Sequence, residues 1–144
     1  MPLHPDFPII EGNVRLTDRW ALTLPRQFNR RMEEGNLVIW HPGLTVWLSA
    51  WGTEDGLSIA ERVADAKANA AKSATDWTEE TEGDVTRLSY SLTETREEGQ
   101  TVYSLNAFAY TADGQVLAAF YTDDPAQILT AKEIAKSVRV FDGT

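Results

Sequence analysis

The sequence predicts an α+β domain, and two apolar patterns support that prediction. Residues 37–51 hold three of the five tryptophans and alternate like two strands joined by a turn. Residues 57–75 are rich in alanine and place their apolar residues at helical spacing. A chain of 144 residues, of which 42% are apolar, is long enough to form one domain with its own core.

The chain ahead of this hairpin is predicted to begin as an arm and to continue as short strands. Residues 1–12 contain three prolines, which remove backbone donors, so we expect a loose N-terminal arm. Two short alternating runs then predict strands, at residues 14–17 and 20–24. Residues 26–35 are ambiguous. Phe28 and Met32 lie four apart, as one or two helical turns would place them, and a solvated loop is the alternative.

The register of the hairpin depends on the length of its loop. An even loop pairs Trp40 with Thr45, which places Trp40, Trp47 and Trp51 on one face with Val38. The other face then carries Leu37, Ile39, Val46 and Leu48. Because Pro-Gly prefers a type II turn, which fits a two-residue hairpin poorly, we favour the four-residue loop 41–44 over Pro42 and Gly43 alone. A sheet that is apolar on both faces needs cover on both.

The second half of the chain predicts an antiparallel meander and a closing helix. Four alternating runs predict the strands, at residues 76–82, 85–94, 101–111 and 115–122. The dipeptide Asp113-Gly114 is a hairpin signal between the last two. Asp124 is the expected N-cap of the closing helix, with Pro125 at its first position. Residues 138–141 predict either a last strand or a packed end.

Composition argues against several classes of partner. The net charge is −9, so we expect no nucleic acid and no anionic membrane surface as a main partner, because both need clustered cations. The chain has no cysteine, which excludes disulfides and thiolate metal sites. Without a leader-like run or a stretch able to span a bilayer, a cytoplasmic location is expected. The oligomeric state stays open, and a homodimer is one possibility.

The search for catalytic residues is mostly negative. His4 lies in the arm and His41 at the hairpin tip, where a solvated turn residue is expected. No phosphate-binding glycine loop and no nucleophile elbow is present. The helix cap explains Asp124, so a catalytic pair with Asp123 is disfavoured. The clustered glutamates, Glu79, Glu80, Glu82, Glu97 and Glu98, suggest a solvated acidic edge rather than a divalent cation site. No catalytic residue, cofactor or metal is therefore predicted.

The aromatic set is the remaining functional candidate. Trp40, Trp47 and Trp51 share a face in the even register, with Tyr103 or Tyr121 beside them. Most large aromatic side chains are simply core. The functional alternative is an open apolar groove that binds a peptide or protein. We predict Trp40, Trp47, Trp51 and Tyr103 as partner-binding residues.

The order of elements resembles that of the PsbP-like superfamily. A short strand ends at Leu24 and Pro25, and the 37–51 hairpin and a surface helix follow. The meander then ends in residues 116–121, and a closing helix follows Asp124. The resemblance implies one domain over residues 13–144, an α/β/α sandwich around a twisted, mostly antiparallel sheet of about six strands, preceded by a short β-hairpin. The superfamily includes the photosystem II extrinsic subunit, Mog-type and DcrB-type proteins, and the Eag-type secretion chaperones. Most members bind without catalysis.

These observations predict a non-enzymatic bacterial protein that binds a protein or peptide through its aromatic sheet face, as a chaperone or adaptor does. Two alternatives stay open. One is a small-ligand receptor or enzyme with a pocket between the sheet and the 57–75 helix, rimmed by His41, Asp123 or Asp124. The other is an acidic immunity-type inhibitor that is attracted to a basic toxin.

Overall fold

One antiparallel sheet of nine strands forms most of the computed structural model, which describes residues 3–52 and 56–140. The strands are β1 (Ile9–Arg15), β2 (Trp20–Glu33), β3 (Asn36–His41), β4 (Leu44–Gly52), β5 (Thr75–Glu82), β6 (Val85–Thr95), β7 (Thr101–Thr111), β8 (Gly114–Thr122) and β9 (Arg139–Val140). Helix α1 (Ile59–Asn69) lies between β4 and β5, and α2 (Gln127–Ser137) precedes β9. The strand order is β1-β2-β3-β4-β8-β7-β6-β5, and β9 pairs with β2.

This architecture corrects the predicted fold class. The described residues are 57% strand and 16% helix, so the expected α/β/α sandwich around about six strands is wrong. The extra strands come from segments that the sequence assigned to an arm or to an irregular stretch. β1 begins at Ile9, inside the predicted 1–12 arm, and β2 continues to Glu33. Each helix has only 11 residues and covers a small part of the sheet.

The hairpin of β3 and β4 has the predicted register but a shorter loop. Trp40 pairs with Thr45, as an even loop requires, and His41 pairs with Leu44. The loop is therefore Pro42 and Gly43, and the favoured four-residue loop is wrong. Gly43 has a φ of 97°, which the second central residue of a type II turn needs and which glycine tolerates.

Strand β2 replaces the helical turn or loop that residues 26–35 suggested. A spacing of four puts Phe28 and Met32 on one face of a helix, but it also puts them on one side of a strand. β2 turns into β3 at Glu34 and Gly35, which have φ angles of 52° and 84°. Two positive φ angles in a two-residue loop are typical of a type I′ hairpin.

The predicted meander is confirmed. β5, β6, β7 and β8 pair in chain order, and β7 turns into β8 after Thr111, which pairs with Gly114. β4 joins this meander to the first half of the chain by pairing with β8, from Thr45 with Tyr121 to Gly52 with Gly114.

The main core lies on one side of the sheet, which we call the inner face. It includes Leu22, Ile39, Val46, Leu105, Val116 and Phe120. The start of β2 lies near the turn between β7 and β8, because Arg19 forms an ion pair with Asp113 at 3.2 Å. α2 packs on the same side, through Ala131 and Ile134. The opposite side is the outer face, and it carries Val38, Trp40, Trp47, Leu88, Tyr110 and Ala119.

A side chain caps the start of α1, whereas at α2 the N-cap position is Ala126, which makes no side-chain cap hydrogen bond. Ser58 is the N-cap of α1, and its side chain and that of Glu61 form a capping box. α1 is thus shorter than the predicted helix 57–75. Asp124 caps the turn ahead of α2, since its Oδ1 accepts from the Ala126 amide at 3.0 Å. The helix itself begins at Gln127 rather than at the predicted Pro125.

Candidate functional site

One cross-strand row on the outer face runs through the middle of the sheet. Trp47 of β4 pairs with Ala119 of β8, Ala119 with Asn106 of β7, and Asn106 with Tyr90 of β6. Large rings therefore stand at both ends of the row, and two small side chains lie between them. We call these four residues the open row.

Aromatic side chains surround the open row. Tyr121, in the next row, is 40% exposed, and Trp51, further along β4, is 45% exposed. Trp77 of β5 packs on Tyr90 with ring centroids 4.5 Å apart and is 39% exposed. The floor beside Tyr121 is Ser104, which is small and buried. Ala119 and Tyr90 are only 8% and 9% exposed. Because Ala119, Asn106 and Ser104 are smaller than the surrounding rings, we infer a shallow surface between these rings, which we call the depression.

Asn106 is the polar group at the centre of this depression. It is half-buried, and its side chain makes no hydrogen bond to the described residues. A side-chain amide carries both donors and an acceptor, so Asn106 can pair with a peptide group of a bound chain. Sequence reasoning missed this residue, although an asparagine between Leu105 and Ala107 in a central strand was a usable signal.

Trp40 lies at the covered end of the outer face. Phe7 packs against it edge-on, with centroids 5.0 Å apart, and the Arg31 guanidinium lies 4.9 Å above its ring. Asn29 holds the arm in place. Its Oδ1 accepts from the His4 amide at 2.7 Å, and its Nδ2 donates to the carbonyl oxygens of His4 and Phe7 at 3.0 and 3.1 Å. The segment from His4 to Pro8 is thus docked rather than loose.

The structure separates the predicted site residues. Trp40, Trp47 and Trp51 share the outer face, as the even register requires. Tyr103 lies on the inner face, because it pairs with Thr122 and alternates with the outward Ser104 and Asn106 along β7. The tyrosine beside the tryptophans is Tyr121, the second residue that the sequence offered for this position.

Helix α1 covers the far side of the outer face. Val63 packs on Leu88 and Tyr110, but few other apolar residues hold the helix down. The main polar attachment is Arg62, which is 6% exposed. Its guanidinium donates to the carbonyl oxygens of Thr111 and Gly114, the latter at 3.1 Å, and lies over the Tyr110 ring.

Burial raises the pKa of two tyrosines on this face, Tyr90 and Tyr110. Burial raises the pKa of Tyr110 to about 12, although the Arg62 charge acts in the opposite direction. Burial and the neighbouring Tyr121 also raise the pKa of Tyr90. Both hydroxyl groups are therefore neutral donors at neutral pH.

The residues proposed for a catalytic rim do not come together. His41, expected to be solvated, is 2% exposed and packs on Phe28 in the inner core. Burial lowers its pKa, so its ring is neutral at neutral pH. Asp123 and Asp124 are exposed. Within residues 3–52 and 56–140, no cluster of three or more histidine, aspartate or glutamate side chains could hold a metal ion.

The structure shows the part of the predicted acidic edge that lies on β5. β5 is exposed along its whole length, and two of its glutamates form surface ion pairs, Glu79 with Lys67 and Glu82 with Arg87. These pairs attach β5 to its neighbours. Neither α1 nor α2 is long and apolar enough to cross a membrane.

Comparison with known proteins identifies the fold and nothing further. No family model matches the chain, and no curated protein matches it. Among solved structures, a crystal structure from Bacteroides thetaiotaomicron matches with a TM-score of 0.70 and 15% identity. The match covers 94% of this chain and 51% of the other, so this chain spans about half the length of that protein.

Proposed function

We propose that this protein binds a segment of a protein or peptide on the open row of its outer face, as a chaperone or adaptor does. The observation behind the proposal is the shallow depression with aromatic walls around Ala119 and Asn106. Partly exposed tryptophan and tyrosine are the side chains that most often contribute binding energy at interfaces.

Each part of the depression has a distinct role in the proposed complex. An apolar side chain of the partner packs over Ala119, between Trp47 and Tyr90. The Asn106 amide pairs with a backbone group of the partner, which would otherwise lose its hydrogen bonds to water. The hydroxyl group of Tyr121, which is 40% exposed, supplies a further donor at the rim. Membership of the PsbP-like superfamily stays a prediction, and the proposal does not depend on it.

Site-specific cross-linking tests the proposal. A photoreactive phenylalanine derivative replaces Tyr121 at the depression or, as the control, Leu129, which is 73% exposed on α2. Both proteins are illuminated in native lysate of the source cells. We expect a discrete cross-linked product from position 121 that position 129 does not give.

Substitutions then test whether the depression itself binds. In the cross-linking protein, Asn106→Leu and Trp47→Ser should each abolish the product, whereas Met32→Ser should not. Met32 is the matched control because it is an exposed apolar residue (59%) at the β2–β3 turn, on the inner side of the sheet. Equal yields from positions 121 and 129, or a product that survives both substitutions, would contradict the proposal.

An acidic inhibitor of a basic protein is the second candidate. The fully exposed β5, with Glu79, Glu80 and Glu82, favours it, since charge attracts a basic partner over a long range. The two candidates differ in salt dependence. Binding through β5 weakens steeply as ionic strength rises, because exposed charges are screened, whereas binding at the open row changes little.

A further inference from the structure

A cavity lies on the inner side of the sheet, away from the open row. Its volume is about 290 Å³, and it separates α2 from strands β5, β6 and β7. Lys132, Ala135 and Lys136 of α2 form one wall, and Ser89 and Ala107 belong to the sheet wall. Pockets for small molecules usually have about 300 Å³ or more, so this cavity suits a compact ligand.

Small side chains on both walls explain why the space is not filled. Ser89 pairs with Ala107 across β6 and β7, and Ala135 faces them from the helix. The cavity opens to solvent beside exposed residues such as Thr78 and Lys136, so its apolar walls at Ala107 and Ala135 lack the close contacts of a packed interior. A ligand that occupies it would recover those contacts.

Three cations and two acids line the cavity, although the chain carries −9. Lys132, Lys136 and Arg87 all line it. Lys136 is exposed and forms no ion pair with the described residues. Lys132 bonds Asp76 at 2.6 Å, but both side chains are partly solvated, and such surface pairs exchange partners at little cost.

Carboxylates pair with two of the three cations, Asp76 with Lys132 and Glu82 with Arg87, which leaves Lys136 as the cation of the lining that has no ion pair to the described residues. Glu79 and Glu80 also line the cavity. Glu79, however, turns to the outer face, where it bonds Lys67 of α1 at 2.8 Å. The hydroxyl groups of Thr78 and Ser89, both lining the cavity, hydrogen-bond each other at 2.6 Å, which leaves one of their two protons free to donate.

We propose that this cavity binds a small organic anion, a carboxylate with a compact apolar body. The apolar body fills the space between Ala135 and Ala107. The carboxylate lies at the mouth, where the ammonium groups of Lys132 and Lys136 and the Ser89 hydroxyl donate to its oxygens. The site shares no residue with the open row, so it stands or fails independently of the proposed partner binding.

Titration of the ¹⁵N-labelled protein with benzoate tests the site by chemical shifts. We expect saturable shifts of the Ser89, Ala107 and Ala135 amides, with the weak affinity typical of so small a ligand. Benzyl alcohol, which keeps the ring but not the charge, and inorganic phosphate, which keeps the charge but not the ring, should both bind at least about tenfold more weakly.

Three variants locate the binding. Lys136→Met should weaken the binding of benzoate by about tenfold, since it removes a charge-assisted hydrogen bond. Lys72→Met is the control, because Lys72 is exposed in the turn ahead of β5 and does not line the cavity. Ala135→Leu should fill the cavity and abolish binding while the melting temperature holds or rises.

Several results would overturn the proposal. One is the absence of saturable shifts at the three amides. Another is that benzyl alcohol or phosphate binds as tightly as benzoate. A third is that Lys136→Met and Lys72→Met weaken benzoate binding equally. A lower melting temperature for Ala135→Leu would show that no empty space exists beside α2.

Discussion

Arg62 should be the main attachment of α1, and Arg62→Met tests this directly. Methionine keeps much of the aliphatic stem and removes the guanidinium. The lost interactions are the hydrogen bonds to the carbonyl oxygens of Thr111 and Gly114, a longer one of 3.4 Å to Gln115 Oε1, and the contact with the Tyr110 ring. Val63 is then the main remaining anchor of the helix.

The magnitude follows from two opposing contributions. Each charge-assisted hydrogen bond contributes about 1.5–3 kcal/mol, so the pair contributes roughly 3–6 kcal/mol. Burying a cation that has no carboxylate partner costs several kcal/mol, and the substitution removes that cost. We therefore expect a net loss of about 2 kcal/mol in the free energy of unfolding, concentrated in α1.

Urea unfolding and amide hydrogen exchange together measure the effect. The matched control is Lys67→Met, the same kind of change on the same helix. Lys67 pairs with Glu79 at 2.8 Å, but both side chains are nearly half exposed, so the loss should stay below about 1 kcal/mol. Exchange in α1 should rise in Arg62→Met alone. If both variants lose the same stability, apolar contact rather than Arg62 holds the helix.

Three further predictions concern buried polar groups. Asn29→Ala should release the arm, because its three bonds to His4 and Phe7 are lost, and acrylamide should then quench Trp40 more strongly; unchanged quenching would contradict this. Stability should fall as pH rises from 10 towards about 12, because Tyr110 stays protonated in the folded chain while the unfolded chain loses its proton. Tyr110→Phe should reduce the loss of stability over this pH range by up to about 3 kcal/mol, and urea midpoints measured across the range would show it. Stability should also fall below pH 6.5, because His41 binds a proton more readily in the unfolded chain than in the folded one. His41→Phe should reduce that loss of stability.

The parts of the fold that depend on local pattern were predictable from the sequence. Alternation and an even loop set the partner of Trp40, and the Asp113-Gly114 turn set the end of the meander. The prediction for residues 26–35 was wrong because a spacing of four fits both a helix and one side of a strand. The predicted number of strands was therefore too low, and the predicted fold class, which depended on that number, was wrong as well.

The candidate site was only half predictable, because it combines strands that are distant in sequence. The tryptophans could be assigned to one face within their own hairpin. Whether Tyr103 or Tyr121 joins them depends on the pairing of β4 with β8 and of β8 with β7, which no local pattern encodes. Arg62 and Asn29 were missed for the same reason, since their roles come from carbonyl groups far along the chain.

The pairing of β4 with β8 also has a consequence for the order of folding. β1 to β4 and β5 to β8 are each built from neighbouring strands, whereas the pairs between β4 and β8 join residues roughly sixty to eighty positions apart. Such distant contacts form slowly, because the chain must first lose loop entropy. We expect the two halves to form early and their joining to limit the folding rate. Trp47 comes from one half, and Ala119, Asn106 and Tyr90 come from the other. A newly made chain would therefore complete the proposed binding surface only in the final step of folding.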